Sequence, residues 1–167
     1  LLEDTLSKAI SLTTDGQSFF FQQTHINQRF YSHNSILRYD FASNSSRRLE
    51  PAPAHKKEFL APSGLMRGRD PDVSKDGKRI VFVQTPYGSN RLVLAWLESD
   101  GTTLNPKVIV PAQPDVQFSN PRFSPNGEEI VVSRFKGGRR DIIIYNLTGN
   151  IVEKVTSDRA LDIDPCW

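Results

Sequence analysis

One phrase is written three times along this chain, and no other feature restricts its fold as strongly. Aligned on a turn, the copies read SLTTDGQSFFF (11–21), DVSKDGKRIVF (72–82) and RFSPNGEEIVV (122–132). Glycines 16, 77 and 127 therefore set the unit at offsets of 61 and 50 residues. Each phrase leads into a second apolar run with a related ending, ILRYDF, LVLAWLESDG or IIIYNLTG. Each copy reads as four short strands rich in Ile, Val, Phe and Tyr and punctuated by Gly and Asn. In the third copy these fall at 120–124, 129–135, 141–146 and 151–156.

The turn inside the phrase has a mechanism. In Ser124-Pro125-Asn126-Gly127 the proline presets φ for the first central position of a type I turn. Asparagine tolerates the bridge region, and glycine takes the left-handed conformation that lets the next strand pair back. The other copies keep Asp-Gly without the proline. The strand after each turn is apolar on both faces, as a strand buried between two sheets must be. No helical period is sustained outside a turn or two at 54–60. The class is all-β.

Repeated four-stranded antiparallel units of this length are the signature of β-propeller blades. A β-sandwich is the alternative, but a sandwich does not require its turn chemistry to recur in phase. The expectation is three four-stranded blades at 7–50, 70–110 and 120–156. An inter-blade excursion fills 51–69, and the first strand of a fourth blade opens at 163–167 (DPCW). Closed propellers need roughly 4 to 8 blades, so this propeller is expected to be incomplete or partner-completed. Phe20, Ile80, Phe82, Ile130, Val132 and Ile143 are the expected core between blades.

Composition narrows the class further. At 167 residues, 37% hydrophobic and 24% charged, the chain is an ordinary globular one. A net charge of +2 does not demand a nucleic-acid partner. The lone Cys166 allows no internal disulfide. No run approaches the roughly 18 apolar residues of a membrane-spanning helix. The chain opens on Leu1 with no basic leader and no lipidation cysteine, so a processed product or a piece of something longer is expected.

The pattern Asp/Asn-Pro, two residues, Ser, any residue, Asp/Asn-Gly, a Val/Ile/Phe strand and a Tyr-Asn-Leu strand runs from Asn120-Pro121 to Tyr145-Asn146-Leu147. It resembles the WD-repeat-like blade of TolB-type periplasmic proteins, and it is similar to propeller domains of prolyl-oligopeptidase-type enzymes. The resemblance covers about 69–157 well. Blade one departs from it: Ile10 stands where the proline would, and an insertion follows. Trp167 stands where Val73 and Phe123 do. The TolB-like resemblance implies a non-enzymatic scaffold for protein–protein interaction, in the cell envelope or as accessory subunit of a larger assembly, with a periplasmic or extracytoplasmic location. It leaves open the non-catalytic propeller domain of a peptidase, or a propeller lyase acting on acidic sugars. A peptidase would need an α/β-hydrolase domain with a nucleophile elbow.

Antiparallel parity sorts the loops. The Asx-Gly turns and the third-to-fourth strand turns share one end, and the second-to-third strand loops and inter-blade connections share the other. All the long loops fall at that second end: 22–34, 51–69, 84–90 and 134–140. There, ten basic residues face four acidic ones, whereas the opposite turns carry six acidic residues against Lys75 and Lys78. Such a field steers an acidic partner surface toward the long loops. The candidate partner-binding residues are Arg29, Tyr31, Tyr87, Arg134, Lys136, Arg139 and Arg140, with further propeller blades from the same parent chain or neighbouring chains as additional partners. Phe30 and Phe59 are further loop aromatics, and Phe59 with Leu60 reads as packing. His25, His33 and His55 show no metal-ligand spacing and read as surface histidines. No catalytic motif is present, and neither metal nor cofactor is implied. Asp70, Asn120 and Asp164 precede prolines at expected strand starts, where a short polar side chain caps the turn.

Overall fold

The computed structural model describes residues 5–26, 32–61, 66–85 and 90–167. Three antiparallel sheets stand side by side. The first holds β1 (Thr5–Leu12), β2 (Ser18–Ile26), β3 (Ser32–Asp40) and β4 (Ser45–Arg48) in that order. A two-residue β5 (Glu50–Pro51) then crosses to the second sheet and pairs in parallel with its outer strand. A 3-10 turn (Pro53–His55) and α1 (Lys56–Phe59) follow. The second sheet is built from β6 (Gly68–Val73), β7 (Arg79–Gln84), β8 (Arg91–Leu97) and β9 (Thr103–Val110), with β5 outside β9. The third holds β10 (Val116–Phe123), β11 (Glu129–Lys136), β12 (Arg139–Asn146) and β13 (Ile151–Lys154). Three blades are present, and blade one gives its last two residues to the edge of blade two.

The repeated turn closes the same way three times. Gly16, Gly77 and Gly127 have φ of 66°, 70° and 72°. Their N–H groups donate to Thr13, Ser74 and Ser124 carbonyls at 2.8–2.9 Å. Those hydroxyls in turn donate to Asp15, Asp76 and Asn126 side chains at 2.7, 2.5 and 2.6 Å. They also accept the returning N–H of Ser18, Arg79 and Glu129. A turn so fully hydrogen-bonded fixes the register of the hairpin behind it.

That register decides the core. On β7, Ile80 and Phe82 point to one face and Val81 and Val83 to the other, as a period of two requires. The first pair packs with Phe20, Ile36 and Leu49 of blade one, closed over by Phe59 and Met66 from the excursion. The second pair packs with Phe118, Ile130, Val132, Ile143 and Tyr145 of blade three. All six expected core residues are at most 1% exposed. Phe59 belongs to the core, as its packing reading required.

β2 differs from that expectation, because only one of its faces is covered. Phe20 is buried while Phe19 and Phe21 are half-exposed, clustered with Tyr39 and Phe41 at ring separations of 5.1–5.5 Å. In the repeat, Phe19 and Phe21 occupy the positions of Ile80 and Phe82, which the preceding blade buries.

Two hydrogen-bonded ladders tie the blades together along their inner edge. The Asp70 N–H donates to Gln22 at 3.1 Å, the Asn120 N–H to the Asp70 carboxylate at 3.4 Å, and the Asn120 amide to Asp164. Below this, Ser11 donates to Asp72 at 3.1 Å, and the Phe123 N–H donates to the other Asp72 oxygen at 2.8 Å. Asp70, Asn120 and Asp164 have φ of 51–52°, a conformation Asp and Asn tolerate better than other side chains. Asp70 and Asn120 lie at bulges inside β6 and β10. They are therefore cross-blade connectors in mid-strand and not caps at strand starts.

Residues 163–167 form no strand, contrary to expectation. An inner strand such as β6 pairs with the strand after its turn, and residues 163–167 have no antiparallel partner strand among the described residues. The segment still reaches the axis: Trp167 donates its indole N–H to the Arg122 carbonyl at 3.2 Å. Leu161 bridges Arg140 in parallel, and Ser133 donates to the Asp162 carbonyl at 2.7 Å.

Candidate interaction face

The two ends of the blades are chemically distinct. At the turn end, Asp15, Asp76, Gly77 and Glu98 line one cleft of ≈ 500 Å³, and Asp40, Ser99 and Asp100 line another of ≈ 360 Å³. The aspartates among them serve the turns, and Glu98 accepts from the Asn105 amide on β9. Thr103 and the Thr102 and Thr103 N–H groups hold Asp100 down to about 2. The Gln17 N–H and Thr13 lower Asp15, the Ser43 N–H and hydroxyl lower Asp40, and Ser74 lowers Asp76. The basic group in both clefts, Arg38, is engaged with Ser18 at 3.1 Å and Asp40 at 4.0 Å. These groups do the work of turn closure.

At the other end, the expected long loop at 134–140 is a tight hairpin instead. Lys136 pairs with Arg139 across a two-glycine turn, Gly137 and Gly138, with φ of 58° and 80°. Two consecutive positive-φ residues match the twist of a two-residue hairpin, so RFKGGRR is mostly strand. The 22–34 stretch is also mostly strand, since β2 runs to Ile26 and β3 starts at Ser32.

Strand parity then divides the basic residues. Arg134, Lys136 and Arg139 share the face of Val132 and Ile143, toward blade two, whereas Arg140 pairs with Phe135 on the opposite face. Arg134 is half-buried and donates to the Tyr145 hydroxyl at 3.4 Å. Arg140 donates to Ser119 at 2.9 Å, lies 6.0 Å from the Phe135 ring, and its carbonyl accepts the Asp162 N–H. Arg134 and Arg140 are thus tied into the structure, and the exposed charges are Lys136 and Arg139 at the hairpin tip. Arg29, Tyr31 and Tyr87, and Phe30 with them, lie outside the described residues.

His25 and His33 are a cross-strand pair, stacked 4.9 Å apart. His55 lies against Phe59. Among the described residues no three His, Cys, Asp or Glu side chains come together to hold a metal. No described helix is long and apolar enough to cross a membrane. The sequence reading did not single out a cluster at this same end: His33 and Asn34 at the start of β3, Arg67 and Arg69 beside β6, and Thr85 after β7. The three segments that supply them lie 16 to 52 positions apart, so only the pairing of blades one and two unites them.

No family model matches the sequence, and no curated protein matches it. Solved structures do. The crystal structure of TolB from Acinetobacter baumannii is 27% identical with a TM-score of 0.60, over 89% of this chain and 31% of that one. The propeller domain of the Trilobed protease from Pyrococcus furiosus has 15% identity and a TM-score of 0.63, over 95% and 45%. The Pyrococcus horikoshii acylaminoacyl peptidase has 12% and 0.65, over 93% and 26%. The chain spans less than half the length of each of these. With three phased blades and these likenesses, the chain is a run of β-propeller blades of the TolB-like kind, a blade type shared with peptidase propeller domains.

Proposed function

We propose that this chain is part of a non-enzymatic propeller that serves as a protein-interaction scaffold in the cell envelope, meeting its partner through the end opposite the Asx-Gly turns. The observation that carries this reading is the 27% identity to TolB, against 12–15% for the peptidase propellers, where likeness speaks for the fold alone. The division of charge supports the choice of end: the turn end spends Asp15, Asp40, Asp76 and Asp100 on its own backbone, while Lys136 and Arg139 stay exposed. The bare aromatic face of blade one supports completion by further blades, from the same parent chain or from neighbours.

The test is association kinetics with a partner captured from envelope extract. Reversing Lys136 and Arg139 to glutamate should slow association and flatten its salt dependence, leaving the fold intact. Association unchanged by that reversal but abolished by substitutions at Lys75 and Lys78 would place the contact at the turn end. The peptidase reading stands as the second. The chain shares only the fold with the two peptidase structures, and a hydrolase domain encoded beside these blades would decide for this reading.

A further inference from the structure

The cluster between blades one and two encloses a cavity of ≈ 160 Å³, lined by His33, Asn34, Arg67, Gly68, Arg69 and Thr85. Its polar groups are biased toward donation. The Asn34 side-chain oxygen already accepts from Gln22 at 3.1 Å and Thr24 at 2.7 Å, so its amide N–H groups remain to donate. Arg69 gives its two terminal nitrogens to Asp70 at 3.0 Å and to the Phe118 carbonyl at 2.7 Å, which fixes it as one wall. Arg67 is exposed and has no ion pair or side-chain hydrogen bond among the described residues, and the Thr85 hydroxyl is likewise unengaged. Among the described residues no carboxylate lines the cavity. A guanidinium, an amide and a hydroxyl converging without an acid are complementary to a planar anion, and an Arg fork matches a carboxylate with two parallel bonds.

Arg67 also borders a second depression of ≈ 170 Å³, lined by Phe59, Leu60 and Ala61 with Lys57, Glu58 and Gln84. Glu58 is the one acidic group there among the described residues, and the Arg91 guanidinium feels its charge. One arginine thus separates a donor-lined pocket from a half-apolar one.

We infer that this pair of pockets binds an acidic peptide segment of the partner, its carboxylate in the donor pocket against Arg67 and an adjacent aliphatic side chain against Leu60 and Ala61. This rests on the interaction-scaffold reading and gives it a ligand chemistry. A glutamate or aspartate side chain and a chain-terminal carboxylate share that chemistry, and the test separates them.

The probes are three short acetylated peptides titrated into the isotopically labelled chain: Ser-Glu-Leu amide, its Ser-Gln-Leu amide isostere, and Ser-Gln-Leu with a free terminal carboxylate. The Glu amide or the free acid should shift the Gly68 and Thr85 backbone resonances saturably, and the isostere should bind about tenfold more weakly. Arg67→Gln should abolish that discrimination while leaving resonances of blade three in place, and Arg67→Lys should keep part of it. Whichever acidic peptide binds tighter identifies the source of the carboxylate. Equal binding of acid and isostere, discrimination that survives Arg67→Gln, or no saturable shift up to about 10 mM would overturn the inference. Peptide recognition has no bearing on Lys136 and Arg139. Failure of the pocket is therefore distinct from failure of the face, which would appear as unchanged partner association in the charge-reversed hairpin.

Discussion

Gly137 and Gly149 both hold a positive φ in a turn, yet an added methyl group would be received very differently. At Gly137, with φ of 58°, a Cβ would meet nothing within 4 Å. At Gly149, with φ of 87°, it would lie 1.8 Å from the Ile109 carbonyl oxygen of blade two. Gly137→Ala should cost only the left-handed strain, about 1–2 kcal/mol. Gly149→Ala should cost clearly more, because backbone of the neighbouring blade must move; urea-unfolding midpoints compare the two. Asp72 offers a second contrast. Burial raises its carboxyl above the ordinary 3.8, against the Phe123 N–H, Arg122 and Ser11, which lower it. The folded chain therefore binds this proton more tightly than the unfolded chain, and the contribution of Asp72 falls as pH climbs from 3.8 through its raised value. Asp72→Asn removes that titration. Wild type should therefore lose stability relative to the variant as pH climbs above 3.8 through the raised value, and an opposite slope would refute the assignment.

Among the elements, the three Asx-Gly turns form an internal control. Asp15 and Asp76 are lowered by their turn hydrogen bonds, whereas Asn126 fills the same position in the third turn and has nothing to titrate. A lowered carboxyl stabilises the folded state above its unfolded value of 3.8, and that contribution is lost as pH falls through the folded value. On acidification the Gln17 and Lys78 amides, which donate to those carboxylates, should shift and exchange faster. The Glu128 amide donates to an amide oxygen and should not exchange faster. Loosening of all three turns together would mean that acid acts elsewhere. This level of structure was largely legible in the sequence, because Ser-x-Asx-Gly specifies its own conformation within four residues. The segment 134–140 reads as a loop in the sequence because its charges hide the meaning of Gly137-Gly138, a dipeptide whose two positive φ values extend both strands to the turn. The pocket around Arg67 was not legible at all. Its residues belong to different blades, and only the alignment of β3 with β6 and β7 brings Asn34 to Arg67 and Thr85.

At the scale of the molecule, one repeat position is read in two environments. Phe82 of blade two is fully buried, while Phe21 of blade one stands on the uncovered face. Phe82→Ala should cost about 3–5 kcal/mol and Phe21→Ala clearly less. Further blades docked on that face should bring the second cost up to the first, which makes the pair a gauge of ring completion. The sequence announced the blade repeat but not this asymmetry, since FFF looks equally apolar whether or not a neighbour covers it. The axial ladders through Gln22, Asp70, Asn120 and Asp164, and through Ser11 and Asp72, join successive blades end to end along their inner edge. Under tension those contacts are stretched in series, whereas the sheets behind them are free to peel strand by strand from the rim. A chain pulled by its two ends should therefore lengthen in discrete steps, each releasing one blade of roughly 50 residues at about 3.4 Å per residue, with the surviving blades still locked to one another at the axis.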